Sequence, residues 1–269
     1  MTSTRYLDVR PPAVAGTFYP SGRRTLLQAL ANAFADANEV SPEAAVPKAL
    51  IVPHAGYIYS GPIAASAYGR LRPARHAISR VVLVGPSHRV PLLGMAVSGA
   101  RAFATPLGEV SIEDSARRTA LAHDGVVVDD LAHSAEHSLE VQLPFLQYVL
   151  DTFEILPIVV GHCPKGQVAA VLDALWGGPE TVVVVSTDLS HYLRYADARH
   201  VDAATAEAVV HGRVESIRGE DACGAVGLRG LLEEVRARGM SVQQLDLRNS
   251  GDTAGSHDSV VGYGAFAVV

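Results

Sequence analysis

Three apolar, β-branched runs each lead into a histidine. The run at 49–52 enters Pro53-His54-Ala55-Gly56, the run at 81–84 enters Gly85-Pro86-Ser87-His88, and the run at 182–185 enters Ser186-Thr187-Asp188-Leu189-Ser190-His191. A neutral imidazole binds Zn, Fe, Ni or Cu, so two histidines and one anionic side chain make a three-ligand site with positions left for water, substrate or dioxygen. A single histidine after a strand is an ordinary loop residue; three at equivalent places form a constellation. Asp188, three residues before His191, suits a carboxylate that orients an imidazole or exchanges a proton with it, and equally a turn or helix-cap aspartate. The anion is open between two thiols: Cys223, and Cys163 in Gly161-His162-Cys163-Pro164, which follows a further apolar run at 155–160.

Other patterns compete for chemistry. His133-Ser-Ala-Glu136-His137 matches HxxEH, in which two histidines one helical turn apart hold zinc, but that reading needs both on one helix, and Ser134 or Ser138 can cap a helix starting here. His137, Glu140 and Gln142 suit residues that line or support a site, with a simple surface pair as the plain alternative for a His and Glu three apart. Tyr57 and Tyr59 follow His54 closely and suit either pocket walls or packing beside glycine turns. The sequence has no GxSxG elbow, no P-loop and no GxGxxG after a strand, which removes support from serine hydrolase, NTPase and dinucleotide readings.

The elements that must position these residues alternate. Fully apolar runs are separated by helical stretches at 23–37, 61–71, 111–122, 138–150, 165–176, 197–211 and 223–238. Strands apolar on both faces require helices on both faces, so the fold class is a three-layer α/β/α architecture. Segments 95–99 and 241–268 alternate or carry glycines and predict added, antiparallel strands, hence a mixed, mainly parallel central sheet. In such sheets ligands gather beyond the carboxyl ends of the strands, where the histidines fall. With no repeat and no linker of Pro, Gly and Ser, residues 1–269 read as one domain.

Composition narrows the function classes. At 269 residues, 48% hydrophobic and 19% charged, the chain is globular, and its apolar runs fall far short of the roughly 20 residues that cross a bilayer. The N-terminus lacks the apolar core of a secretory signal, which makes the cytoplasm the expected location. Two cysteines exclude a disulfide framework, and a net charge of −6 without like-charge runs argues against nucleic-acid or membrane-surface partners. Small molecules and proteins remain.

The run VRPPAVAGTFYP at 9–20, PHAGYIYSG at 53–61, GPSH at 85–88 and EHSLEVQLPFL at 136–146 together resemble the Memo family, known in prokaryotes as AmmeMemoRadiSam system protein B. STDLSHY at 186–192, DACG at 221–224 and the closing VVGYGA continue the resemblance across almost the whole chain. It implies a fold and site similar to class III extradiol dioxygenases, whose iron is held by two histidines and a glutamate, with a cysteine replacing the glutamate. By that implication His54, His88 and Cys223 are the metal ligands, His191 is the acid/base histidine and Asp188 stands close to it. The resemblance also selects Cys223 over Cys163. Cys223 would then start helix 223–238, whose N-terminus favours a thiolate.

Fe(II) is the implied cofactor, with Cu or Zn as alternatives, and Tyr57, His137 and Glu140 are the expected substrate contacts. Oxygenase-type redox chemistry on a small molecule is the leading reading, and the enzyme class a non-haem iron oxidoreductase. The same ligands suit a metal-dependent hydrolase, since such an ion lowers the pKa of bound water. Animal members are known as adaptors for phosphotyrosine peptides, which makes a peptide-binding cleft the third reading. Prokaryotic members go with a radical-SAM protein and a further small partner.

Overall fold

The computed structural model describes residues 8–38 and 44–269. In chain order the strands are β1 (Val9–Arg10), β2 (Ala49–Val52), β3 (Arg80–Pro86), β4 (Met95–Val97), β5 (Ala102–Thr105), β6 (Gly108–Ser111), β7 (Val126–Val128), β8 (Glu154–Val160), β9 (Thr181–Ser186), β10 (His191–Leu193), β11 (Val242–Asn249) and β12 (Val260–Val268). The helices are α1 (Arg23–Ala35), α2 (Tyr57–Tyr68), α3 (Asp114–Leu121), α4 (Asp130–Ser134), α5 (Leu143–Val149), α6 (Lys165–Leu175), α7 (Tyr195–Val210) and α8 (Ala225–Ala237).

Nine strands form the central sheet in the order β10-β12-β2-β9-β3-β8-β4-β7, with β11 also paired to β12. Its middle, β2-β9-β3-β8, is parallel throughout. The segments expected to add antiparallel strands do so: β4 runs antiparallel to β8, and β12 runs antiparallel to β2, β10 and β11. β7 extends the sheet beyond β4, and a small sheet, β1-β5-β6, stands apart from it. No sequence pattern singled out either addition.

The two faces of the sheet carry separate cores. Leu50, Val52, Val81, Leu83, Val182 and Val184 pack toward Leu26 and Leu30 of α1, Ile63 and Tyr68 of α2, and Phe145 of α5. The alternate residues, Ala49, Ile51, Val82, Val84, Val183 and Val185, pack toward Val171 and Leu172 of α6, Val209 of α7, and Leu228 and Leu231 of α8. Burying one such side chain contributes about 1.5–3 kcal/mol, so strands apolar on both faces are stable only between two helical layers. That is the expected α/β/α architecture, and it brings the carboxyl ends of β2, β3 and β9 to one edge. No helix of the described residues is long and apolar enough to cross a membrane.

Candidate metal centre

His54 stands two residues beyond β2 and is buried, 2% exposed. Its backbone N–H donates to Asp188 Oδ1 at 2.7 Å, and its Nδ1 lies 2.8 Å from Ser186 Oγ at the end of β9. The single hydroxyl proton of Ser186 is already committed, because Ser186 Oγ donates to the Ser138 carbonyl at 2.7 Å. Ser186 Oγ therefore accepts, from Gln142 Nε2 at 2.9 Å and from His54 Nδ1–H. Gln142 is fixed in turn by Pro53 O and Tyr68 Oη. With its hydrogen on Nδ1, His54 presents a lone pair at Nε2, which points at Cys223 Sγ 3.3 Å away.

His88 stands two residues beyond β3. Its Nδ1 lies 3.0 Å from Glu136 Oε1 and its backbone N–H donates to Glu136 Oε2 at 2.6 Å. A carboxylate only accepts, so Nδ1 carries a hydrogen, and the neutral ring that a metal would select has its lone pair at Nε2. The His54 and His88 rings are 5.1 Å apart and nearly perpendicular. One ligand atom from each of His54, His88 and Cys223 lies within 4.8 Å of the others.

Cys223 precedes α8 rather than opening it: Gly224 is the N-cap, and the helix begins at Ala225. Gly224 is required by close approach, since a Cβ there would come within 2.7 Å of the Ser186 carbonyl oxygen. The thiol accepts from the Asp188 N–H at 3.3 Å. Against the expectation of a thiolate favoured by the helix terminus, burial, with the Asp188 charge second, pushes the Cys223 thiol up to about 12. A transition metal held by two imidazoles would deprotonate it. The donor set thus fits such an ion: two neutral imidazoles with free Nε2 lone pairs and one thiol that only a cation would ionise.

His137, Glu136 and His88 form a second trio with ligand atoms within 4.8 Å. It is the poorer cradle. Glu136 Oε1 already accepts from His88 Nδ1 and from the backbone N–H groups of His137 and Ser138. Burial alone would raise Glu136, but the His88 side chain and the N–H groups of Ser138 and His88 outweigh it and hold the carboxyl at about 2. His137 stacks on His88 at 4.6 Å and tilts against Phe18 at 4.7 Å.

A cleft of about 630 Å³ opens over these rings, lined by His54, His88, His137, Asp188 and His191 together with Phe18, Tyr59, Tyr192, Tyr263, Ser250 and Ser256 among others. His191, half-buried on β10, also lines it, and burial lowers its pKa. Tyr192 beside it is 79% exposed with φ of 59°, a left-handed backbone that strains a tyrosine.

Three expectations need correction, and one rival pattern drops out. Asp188 bonds the His54 backbone and lies 3.9 Å from His54 Nε2, so its partner is His54 rather than His191. Burial raises its carboxyl to about 7 despite that bond. Tyr57 does not line the cleft: it starts α2, its hydroxyl donates to Val141 O, and Tyr59 takes the wall position. Glu140 is turned away, its carboxylate consumed by Arg10, Ala13, Val14 and Tyr19. The HxxEH pattern does not form one helix: α4 ends at Ser134, and His133 Nε2 is tied to Ala96 O, away from Glu136 and His137. Cys163, the rival thiol, packs against the α6 and α8 side of the sheet outside both trios. Ser186 and Phe18 were not singled out, although both lie inside motifs quoted for the resemblance.

Comparison with known proteins agrees with this picture. A family profile described as "Memo-like protein" matches residues 10–267. A "MEMO1 family protein" of Aeropyrum pernix is 36% identical, covering 97% of this chain and 100% of its own. Counterparts from Aquifex aeolicus and Ignicoccus hospitalis are 36% and 37% identical, each covering 96% of this chain and 98% and 97% of their own. An uncharacterized protein of Escherichia coli K12 shares the fold, with a TM-score of 0.50 at 14% identity, covering 80% of this chain and 98% of that one. Matched from end to end by the profile and by its relatives, the chain belongs to the Memo-like family.

Proposed function

We propose that the protein is a mononuclear metal enzyme acting on a small molecule, with His54, His88 and Cys223 as ligands and Fe(II) as the resident ion, Cu or Zn being the alternatives. The observation that carries the reading is the hydrogen-bond pattern behind the two imidazoles. Ser186 and Glu136 engage Nδ1 of both rings, which leaves Nε2 for an ion, with His54 Nε2 3.3 Å from Cys223 Sγ and a ligand atom of His88 within 4.8 Å of both. Such back-bonding of a ligating histidine is the usual device for orienting it and raising its basicity.

A bound ion would supply open coordination positions and Lewis acidity, in oxygenase-type redox chemistry or in hydrolysis. The chain's own residues do the rest. Asp188, with a carboxyl near 7, holds or gives up a proton close to His54. His191, which also lines the cleft, is the proton-moving group, and Phe18, Tyr59 and Tyr263 in the lining exclude water from the bound molecule. The phosphopeptide reading has less support, because phosphate recognition uses arginine clusters and no lysine or arginine is among the described residues lining this cleft.

Anaerobic purification with metal analysis, and anomalous diffraction at the iron, copper and zinc edges, tests the assignment. The expected result is about one ion per chain between His54, His88 and Cys223, lost in Cys223→Ala. A folded protein with no affinity for Fe(II), Cu or Zn would sink it. Turnover only with dioxygen separates the oxygenase reading from a hydrolase.

A further inference from the structure

We propose that Glu136 is the positioning residue that makes His88 a metal ligand, a role that rests on the metal reading above. The two histidines are held by different means. His54 is almost wholly buried, and packing fixes its ring before any hydrogen bond does. His88 stands on a loop with 28% of its side chain exposed, so packing leaves its ring freedom to turn. What restrains it is one carboxylate that grips the residue at both ends, Oε2 on the backbone N–H and Oε1 on Nδ1.

That grip is itself rigid. Glu136 is 1% exposed, and Oε1 also accepts the N–H groups of His137 and Ser138, so the carboxylate is clamped by the backbone that follows it. The consequence is specific to one tautomer: His88 Nδ1 must keep its hydrogen, and Nε2 must face His54 and Cys223. The same clamp sets His137, whose ring stacks on His88 and closes that side of the cleft. An amide cannot replace the carboxylate, because its single oxygen serves fewer N–H groups and its NH₂ would face donors.

Co(II) and Zn(II) titrations of the purified full chain test this, with unfolding midpoints measured alongside. Glu136→Gln is expected to lower Co(II) affinity about 10–100-fold. At saturation it should keep the near-ultraviolet thiolate-to-Co(II) band, because Cys223 and His54 stay in place. Glu140→Gln is the control: it also removes a buried carboxylate four residues away, but one that touches no histidine. It should lower the unfolding midpoint and reduce affinity clearly less than Glu136→Gln does, although its partner Arg10 also donates to the Glu136 carbonyl.

A merely structural Glu136 would behave like Glu140, so a Glu136→Gln protein that binds Co(II) as tightly as the wild type overturns the proposal. Glu136→Asp, which keeps the acceptors but withdraws them by one methylene, also loses affinity. Unchanged binding there overturns it too, and serves if the glutamine variant does not fold. A wild-type chain that binds neither ion would overturn the metal reading and this inference with it, a result distinct from equal binding by wild type and variant.

Discussion

Glu136 and Glu140 are four residues apart, both fully buried, and each accepts four polar hydrogens, yet their carboxylates serve different regions of the molecule, joined through Arg10, which pairs with Glu140 and donates to the Glu136 carbonyl. Glu140 faces the scaffold: Arg10 Nη1 and Tyr19 Oη each approach at 2.6 Å, and the Ala13 and Val14 N–H groups complete its shell. Glu136 faces the site: its donors are His88, twice, and the backbone of His137 and Ser138. Arg10 gives Glu140 a permanent counter-charge, whereas the side chains around Glu136 are imidazoles, which a metal can use as ligands. A buried carboxylate with a fixed cation locks a fold, and one that back-bonds imidazoles tunes a site.

Glu140→Ala should produce the largest loss of stability. It leaves the Arg10 guanidinium buried without its carboxylate and frees the 10–19 segment, at a cost of about 3–5 kcal/mol. Urea unfolding measures it, and metal affinity of the folded fraction should fall clearly less than in Glu136→Gln, the linkage through Arg10 notwithstanding. An affinity loss as large as that expected of Glu136→Gln would erase the distinction between scaffold and site.

Gly224→Ala probes where the two regions meet. An added Cβ would lie 2.7 Å from both the Ser186 carbonyl oxygen and Thr187 Cβ, and backbone cannot yield cheaply. Overpacking of this kind costs up to about 3 kcal/mol. Because Cys223 is the preceding residue, stability and Co(II) affinity should fall together, in contrast to Glu140→Ala. A stable variant with full affinity would show that β9 and the start of α8 are not rigidly coupled.

The histidines of the same segment repeat the contrast. His137 joins the cleft, while His133 is buried against Phe103, where burial lowers its pKa to about 4 even though Ala96 O accepts its hydrogen bond. The folded-state value lies below the unfolded value of about 6.5, so its contribution is constant above pH about 6.5. It is lost as pH falls toward 4, because only the unfolded chain takes up the proton. The stability lost between pH about 7 and about 5 should be roughly 2 kcal/mol from this group, and His133→Gln should remove that part of the slope in urea titrations. An unchanged slope would place the acid sensitivity elsewhere.

The strand-end histidines and the mixed sheet were legible because both rest on strong local patterns: apolar runs too short for anything but buried strands, each stopping at a histidine. The roles within 133–142 were not. Reading a helix over 138–150 put His137 and Glu140 on one face, but the chain forms a 3-10 turn at Glu140–Gln142 and α5 starts only at Leu143, so the three-residue spacing points in two directions. Tyr57 and Tyr59 were exchanged for a similar reason. The helical stretch was expected at 61–71, whereas α2 begins at Tyr57 and carries Pro62 inside it, and the Tyr57 hydroxyl is turned inward onto Val141 O. Cys223 over Cys163 came from resemblance alone, since spacing says nothing about which loop crosses β9. Strands as short as β7, with two of three residues exposed, leave no periodic signal to read.

The smallest effect is expected at Ser186, and it separates the two candidate ligand histidines. Ser186→Ala removes the acceptor of His54 Nδ1–H and leaves Gln142 Nε2 with the Pro53 carbonyl alone at full strength. The net cost is about 1 kcal/mol of stability. His54 keeps its place by burial, so the fall in Co(II) affinity should stay near the low end, about 10-fold or less. Glu136→Gln acts on a ring that packing does not hold, so its effect should be the greater of the two. If Ser186→Ala weakened Co(II) binding more, the tautomer of the buried histidine, rather than the orientation of the exposed one, would be the weaker restraint in this centre.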